Sequence, residues 1–292
     1  MDLEIKNNDL WVSGLKDFEI GQTLECGQSF HFEKVNDEYL VIAHNRILRV
    51  AQVNPDTVVF YDTSIEEFQM KWIKYFDLDR DYGEIKSVLL EKDNKLKAAI
   101  EEKSGVRIMN QEFFEMLLSF IISQNKQIPH IKKIVFDISA KWGTYLGRVN
   151  DKSYYSFPTP QQMADCTIED FIKLKTGFRA PYLYDAVNKV LSGEISEEYA
   201  RSLSSEEVIK YLCQIKGVGE KVANCISLFA LEKRDSFPID VWIKRIMERL
   251  YFKGDTDKKV IADFAKKQFG EYGGYAQQYL FFYARDEKKG NK

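Results

Sequence analysis

Two residues that could do chemistry stand nineteen positions apart, Lys221 and Asp240, and a glycine turn, Gly217-Val218-Gly219, ends two residues before the lysine. Helical patterns flank the turn, so the stretch reads as a helix–hairpin–helix. So short a turn asks for residues that tolerate positive φ, where glycine is the default, and both Gly217 and Gly219 are expected there. Backbone amides of the turn, together with the free amides at the next helix start, can hold a phosphate without any side chain. Gly-x-Gly taken alone is better explained by an ordinary turn between two helices.

Lys221 begins the helix EKVANCISLFAL, whose core face is Val222, Ile226, Phe229 and Ala230. The lysine therefore projects off that face, beside the turn. A cation at the positive end of a helix dipole is placed against electrostatic preference. Such placement favours the neutral, nucleophilic amine that covalent catalysis by lysine requires. Asp240, in FPIDVWIKRI, is an expected N-cap for the helix carrying Trp242, Lys244 and Arg245. The same amides hold its carboxylate ionised, able to stabilise positive charge at a reacting carbon or to help activate an amine.

These groups must be positioned by a larger frame. From Leu10 to about Thr63 the segments SFHFEKV, EYLVIAH, RILRVAQV and TVVFYD are short and rich in aromatic and β-branched residues, as in an antiparallel sheet. Ser64, followed by Glu66 and Glu67, predicts an N-cap and a helix over IEEFQMKWIKYF. The remainder reads as helical. Ile85, Val88, Leu89, Leu96 and Ile100 fall at helical intervals, FFEMLLSFIIS is apolar almost all round and hence a buried central helix, and a further helix begins near Ile128. Ser204 and Glu207 form a capping-box pattern. The division expected is an N-terminal β domain with flanking helices over 1–105 and a helical region over 106–292, an α+β fold.

Composition narrows the function classes. The 292 residues include 45% hydrophobic residues and carry a net charge of −3, enough apolar content for well-packed cores. No run approaches the roughly 18 apolar residues of a membrane span, and the first ten residues are polar and acidic, so the expected location is cytoplasmic, without a secretion signal. Four cysteines and three histidines show no metal-ligand spacing. The net charge hides an asymmetry: residues 1–102 carry 12 Lys+Arg against 21 Asp+Glu, and residues 103–292 carry 30 against 24. The second part can accept an anion, although solvated helix faces account for such an excess as well.

GVGEKVANC followed by PIDVW resembles the helix–hairpin–helix DNA glycosylase superfamily with its glycine/proline-rich loop and aspartate. CGQSFHF, LLSFIISQN, GFRAPY and GYAQQYLFF, in that order, extend the resemblance over nearly the whole chain, to the 8-oxoguanine DNA glycosylases of the OGG type. The resemblance implies an N-terminal sheet like that of TATA-binding protein, packed on two mostly helical subdomains, and extrusion of a base from duplex DNA into a pocket between them. It implies a monomeric base excision repair enzyme with glycosylase and abasic-site lyase activities. Lys221 is then the nucleophile at C1′, forming a Schiff base that permits β-elimination, and Asp240 stabilises the oxocarbenium-like transition state. Phe281 and Cys225 sandwich the extruded base, the Gly27 carbonyl accepts the N7–H that 8-oxoguanine has and guanine lacks, and Gln277 reads the Watson–Crick edge. Asn125 fills the vacated space, Phe178 wedges into the stack, and Arg179 contacts the estranged cytosine. Gly217 and Gly219 hold the DNA backbone.

The chain departs from that pattern in three places. Better-known eukaryotic members have tyrosine at Phe178 and a second arginine at His130; many relatives have proline at Lys216, so a less rigid hairpin is expected here. No cofactor is required. A structural monovalent or calcium ion on the main-chain carbonyls of Cys213, Ile215 and Val218 is the family's habit. A nucleoid location in a prokaryote, or a nuclear one in a eukaryote, follows from the same likeness. Two alternatives stay open: a superfamily glycosylase for another damaged base, and a non-catalytic DNA-binding module. No cysteine follows Cys225, as the four-cysteine iron–sulfur branches would require, and alkyl-base glycosylases lack the lysine.

Overall fold

Alternating apolar residues and short polar turns produce a six-stranded antiparallel sheet in the computed structural model, which describes residues 1–290. The strands are β1 (Asp2–Lys6), β2 (Asp9–Ser13), β3 (Phe32–Val35), β4 (Glu38–Ala43), β5 (Arg46–Asn54) and β6 (Thr57–Tyr61), in the spatial order β1-β2-β6-β5-β4-β3. Registers such as Val50 opposite Phe60 and Leu10 opposite Phe60 place one apolar row on one face. That face packs on Phe68, Trp72, Tyr75 and Phe76. Ser64 caps the helix that carries them, its hydroxyl accepting the Glu67 amide at 3.0 Å, and a π turn over Phe68–Trp72 aims these large side chains at the sheet.

A short helix that the β-like composition conceals, α1 (Ile20–Glu25), interrupts the strands. Glu19 caps it, accepting the amides of Gly21 and Gln22 at 2.9 and 2.6 Å. The 85–100 stretch is not one helix. α2 (Tyr82–Lys92) stops at Asp93, whose extended backbone (φ −157, ψ 103) and side chain start a new turn by accepting the Lys95 amide at 3.0 Å. Tyr82, Ile85 and Leu89 pack into the helical core and not under the sheet.

The central helix α3 (Phe113–Ser123) buries Phe113 and every residue from Met116 to Ile122. α4 (Ile128–Trp142) follows, with Pro129 in its first turn. A two-stranded hairpin that the helical reading overlooks, β7 (Tyr145–Val149) and β8 (Lys152–Tyr155), then packs Tyr154 on Leu40 and Ile42 of the sheet's second face. Asn150 and Asp151, at φ 46 and 62, make the left-handed two-residue turn that such a hairpin needs.

The rest is helical: α5 (Ala180–Leu191), α6 (Ser205–Leu212), α7 (Glu220–Ala230), α8 (Val241–Met247), α9 (Lys258–Phe269) and α10 (Gly273–Gly290). Ser204 and Glu207 form the reciprocal capping box at α6. The protein is therefore α+β, an antiparallel sheet on a helical region. Buried Arg107 fastens the two, its guanidinium donating to the carbonyls of Lys16 at 2.7 Å and Asp17 at 3.0 Å while lying 4.3 Å over the Tyr82 ring. No helix among the described residues is long and apolar enough to cross a membrane.

Candidate active site

Helical periodicity decides which chemical groups meet. α7 carries Lys221 and Cys225 four residues apart, and α10 carries Gln277 and Phe281 at the same interval, so each helix presents its pair on one face. Asp240 caps α8 as its sequence implies, with Oδ1 accepting the amides of Trp242 and Ile243, both at 2.9 Å. Both bonds fall on one oxygen, and Oδ2 stays outside the cap. Lys221, Cys225, Asp240, Gln277, Phe281 and Gly27 together line one small cavity, with Phe120, Phe229, Pro238 and Gln278 completing the wall. All six expected pocket and catalytic residues thus converge from four separate parts of the chain.

Surroundings give each group its character. Lys221 is half-buried, and its Nζ lies 5.7 Å from the centroid of the Phe120 ring, which stacks on Phe229 at 5.5 Å. Burial pushes the Cys225 thiol up from its ordinary value, against the pull of the Lys221 ammonium, so it faces the cavity as a neutral, polarisable group. Gln277 is 4% exposed and its Oε1 has no hydrogen-bond partner among the described residues. A buried acceptor without a donor is costly, which makes this oxygen a receptor for something that enters.

Gly27 stands at φ +92 in the turn after α1. A buried glutamine fixes that turn: Gln28 Nε2 donates to the carbonyls of Thr23 and Arg107 at 2.8 and 2.7 Å, and its Oε1 accepts the Met109 amide at 2.9 Å. A Cβ on Gly27 would lie 3.2 Å from the Phe281 ring. The cavity holds about 50 Å³, room for one or two waters, so a purine enters only when its walls rearrange. A wider open groove of about 1400 Å³ adjoins Gly219, Glu220 and Lys221, but it is lined by charges of both signs and none of Gly27, Cys225, Gln277 or Phe281 reaches it.

The hairpin corrects one expectation. Gly217 has φ +78, and a Cβ there would meet the Tyr182 ring at 2.2 Å, so glycine is required. Gly219 has φ −98, an ordinary value for any residue, and serves as the N-cap of α7 with nothing within 4 Å of a Cβ position. Its bareness leaves the amides at the start of α7 open to approach. Nor is the turn left loose by Lys216. The Lys216 amide donates to Asp185 Oδ2 at 2.8 Å, a tether that proline could not make. Gln124 adds a second, donating to the Gly217 carbonyl at 3.0 Å.

The expected duplex-facing residues gather beside this turn. Asn125 is exposed at φ 49, just past α3, and His130 is exposed in the first turn of α4. Phe178 is 57% exposed and packs edge-on against Tyr182. Arg179 points inward instead. It is 3% exposed, with Nη1 donating to the Thr176 carbonyl at 3.1 Å and Nη2 to that of Gln124, and its guanidinium lies 4.2 Å from the Phe178 ring. Cys213, Ile215 and Val218 follow the C-terminal end of α6, where carbonyls carry partial negative charge. Ile215 already accepts the Val218 amide at 3.0 Å, which uses one of two lone pairs, and neutral oxygens suit a hard cation. Among the described residues no group of three or more His, Cys, Asp or Glu could hold a metal ion.

Phe120, Pro238 and Gln278 carry no sequence signal for the site, and Phe229 reads in the sequence as a core residue of its helix. Apolar wall residues look like core, and only the three-dimensional convergence separates them.

Comparison with known proteins gives this geometry a lineage. The family described as 8-oxoguanine DNA glycosylase, N-terminal domain, matches residues 12–117, and the HhH-GPD superfamily base excision DNA repair proteins match residues 118–269. The 8-oxoguanine glycosylase/lyase of Clostridium acetobutylicum, solved with duplex DNA containing cytosine opposite 8-oxoguanine, is 41% identical over 99% of both chains, with a TM-score of 0.94. Its apo form gives 42% identity over 97% of this chain and 99% of that one, with a TM-score of 0.91. The N-glycosylase/DNA lyase OGG1 of Arabidopsis thaliana is 26% identical over 89% of this chain and 75% of its own. The 3-methyladenine DNA glycosylase of Archaeoglobus fulgidus shares the fold at 20% identity, with a TM-score of 0.75 over 94% of this chain and 98% of that one. With the two family matches together spanning residues 12–269, the chain belongs to the 8-oxoguanine DNA glycosylases of the HhH-GPD base excision repair superfamily.

Proposed function

We infer that the protein is a bifunctional DNA glycosylase and abasic-site lyase that removes 8-oxoguanine from duplex DNA. The convergence of a half-buried lysine, a capped carboxylate and a set of base-recognition groups on one cavity carries the reading. Lys221 Nζ attacks C1′ as the C1′–N9 bond breaks, and the base departs with the electron pair and takes up a proton. Asp240, through the oxygen outside its cap, stabilises the positive charge that develops on the sugar. Opening of the sugar ring at C1′–O4′ leaves an iminium to Lys221; loss of a C2′ proton then expels the 3′ phosphate and cuts the strand.

Phe281 and Cys225 take the extruded base between them, a sandwich open to any purine. Discrimination falls to the Gly27 carbonyl, which bonds the N7–H of the oxidised base and faces a lone pair in guanine, a difference of about 1–3 kcal/mol. Gln277 supplies its idle oxygen to the Watson–Crick edge. Asn125 and Phe178 replace the lost stacking, Arg179 exchanges a carbonyl partner for the estranged base, and the hairpin grips the backbone, its carbonyls at Cys213, Ile215 and Val218 offering a seat for a monovalent or calcium ion. Residues 1–105 and 106–292 act as the sheet and helical units, sharing α2 at their junction. Incubation with a duplex carrying one 8-oxoguanine tests the function. Release of that base with a cut at its site is expected; release of a different damaged base alone would assign another lesion, and binding without products would leave a DNA-binding module.

Two hairpin variants separate folding from DNA contact. Gly217→Ala meets both the left-handed backbone and Tyr182, and should cost about 2 kcal/mol or more of stability. Gly219→Ala should cost about 1 kcal/mol or less yet weaken duplex binding, because its methyl occupies the space a phosphate needs. Denaturant titration beside a binding isotherm gives both numbers; unchanged affinity in Gly219→Ala would remove the amides of this turn from the interface.

His130 bears on the opposite strand. Imidazole lacks the fixed two-pronged donor fork of arginine, so preference for cytosine opposite the lesion should be weaker than in a two-arginine enzyme. Excision rates opposite C, A, G and T measure it, and a steep preference for C would rule the idea out.

A further inference from the structure

The lesion pocket leaves one buried charge without a task. Arg285 follows Gln277 and Phe281 at the same four-residue interval, so α10 presents all three along one stripe. Its side chain is only 9% exposed. Nη2 donates to the Glu25 carbonyl at 2.6 Å, and the guanidinium carbon lies 5.7 Å from the centroid of the Phe281 ring and 4.8 Å from that of Phe282. Nη1 stands 3.0 Å from where a Cβ on Gly27 would be. Neither Nη1 nor Nε has a hydrogen-bond acceptor among the described residues. The Asp286 carboxylate approaches Nε at 3.7 Å and is bonded to Lys103 at 2.8 Å.

Burying a guanidinium with idle donors is costly, and an apolar side chain would fill the same space without that cost. What arginine adds is reach in two directions. One arm holds the turn that carries Gly27, and the cationic plane backs the Phe281 ring. Gly27 stands on the sheet unit and Phe281 on the last helix, and apart from Arg285 a longer bond, from Gln278 Nε2 to the Cys26 carbonyl at 3.5 Å, joins the two. We propose that Arg285 is a positioning residue for base recognition, clamping the Gly27 turn to α10 and so setting the width of the slot in which an oxidised purine is told from a normal one. The inference rests on the lesion-pocket reading above. Its importance follows from the chemistry: a discrimination made by one hydrogen bond fails when that acceptor shifts by about an ångström.

The test uses two substrates with the full-length protein, a duplex with 8-oxoguanine opposite cytosine and a duplex with a preformed abasic site. Cleavage of the second needs Lys221 and DNA binding but no base in the pocket. Arg285→Met should slow base release under single-turnover conditions by about 10²-fold and Arg285→Lys by about 10-fold, on the scale of an ångström misplacement. Abasic-site cleavage should stay within about 3-fold of wild type in both. Should Arg285→Met fail to fold, the lysine variant decides alone. Wild-type base release in Arg285→Lys, or equal loss on both substrates, would overturn the proposal. A wild-type protein that cuts abasic sites but releases no 8-oxoguanine would instead overturn the pocket reading.

Discussion

Lys221→Gln is expected to lose covalent trapping by borohydride on an 8-oxoguanine duplex, to slow base release by about 10⁴-fold or more, and to bind the same duplex within a few-fold of wild type. Glutamine keeps most of the length and the helix propensity of lysine, and the residue is half-buried in the first turn of α7, beside the Cys225 thiol. The wall it leans on, Phe120 stacked on Phe229, stays in place. The phosphate-holding amides stay too, since they belong to the backbone after Gly219. Affinity and chemistry are thereby separated at a single residue. An adduct still trapped in this variant would mean that another amine forms the Schiff base, and the assignment of Lys221 would fall. Parallel loss of binding would mean that the lysine serves mainly as a phosphate contact, which is the role expected of it in a non-catalytic hairpin.

The parts of the fold legible in the sequence are those where local pattern and tertiary demand coincide. β3 to β6 are aromatic and β-branched runs between turns, and they appear as strands. β1 alternates Leu3 and Ile5 with charged residues, but it is a five-residue edge strand whose side chains stay largely exposed, and so short a run carries little signal. α1 is only six residues long and sits in β-like composition, held by the Glu19 cap and by long-range bonds through Gln28, which no local window contains. At the site, Lys221 and Asp240 could be picked out because caps and helix starts are local features, and Asp240 caps α8 as expected. Gly27, Cys225, Gln277 and Phe281 have side chains, or the lack of one, that resemble ordinary turn and core residues. Their grouping came from the family likeness, and the cavity they share is a product of five separate parts of the chain meeting. Gly219 shows the converse error: a glycine need not sit at positive φ to be useful, because open space beside a helix start is a second reason for having no side chain.

Asp240 carries two roles at one carboxylate, and two substitutions should pull them apart. Its Oδ1 accepts two amides of α8, the ordinary work of an N-cap, while the residue also faces the cavity that contains Lys221. Asparagine caps about as well as aspartate, since its side-chain oxygen accepts the same bonds, but it brings no negative charge to a cation developing on the sugar. Asp240→Asn should therefore fold with a stability within about 1 kcal/mol of wild type and release 8-oxoguanine about 10²–10³-fold more slowly, the range seen when one preorganised electrostatic group is removed from a water-poor site. Asp240→Ala should be as slow in chemistry and lose a further 0.5–2 kcal/mol or so of stability, because the amides of Trp242 and Ile243 lose their acceptor. Denaturant unfolding and single-turnover base release, measured on both variants, separate the charge from the cap. If Asp240→Asn released the base at the wild-type rate, the carboxylate would be a cap and nothing more, and stabilisation of the sugar cation would have to come from elsewhere in the pocket. If both variants were equally unstable, the two amide bonds to Oδ1 would depend on the charge itself, and the helix dipole of α8 would then be the larger part of what holds Asp240 against the cavity.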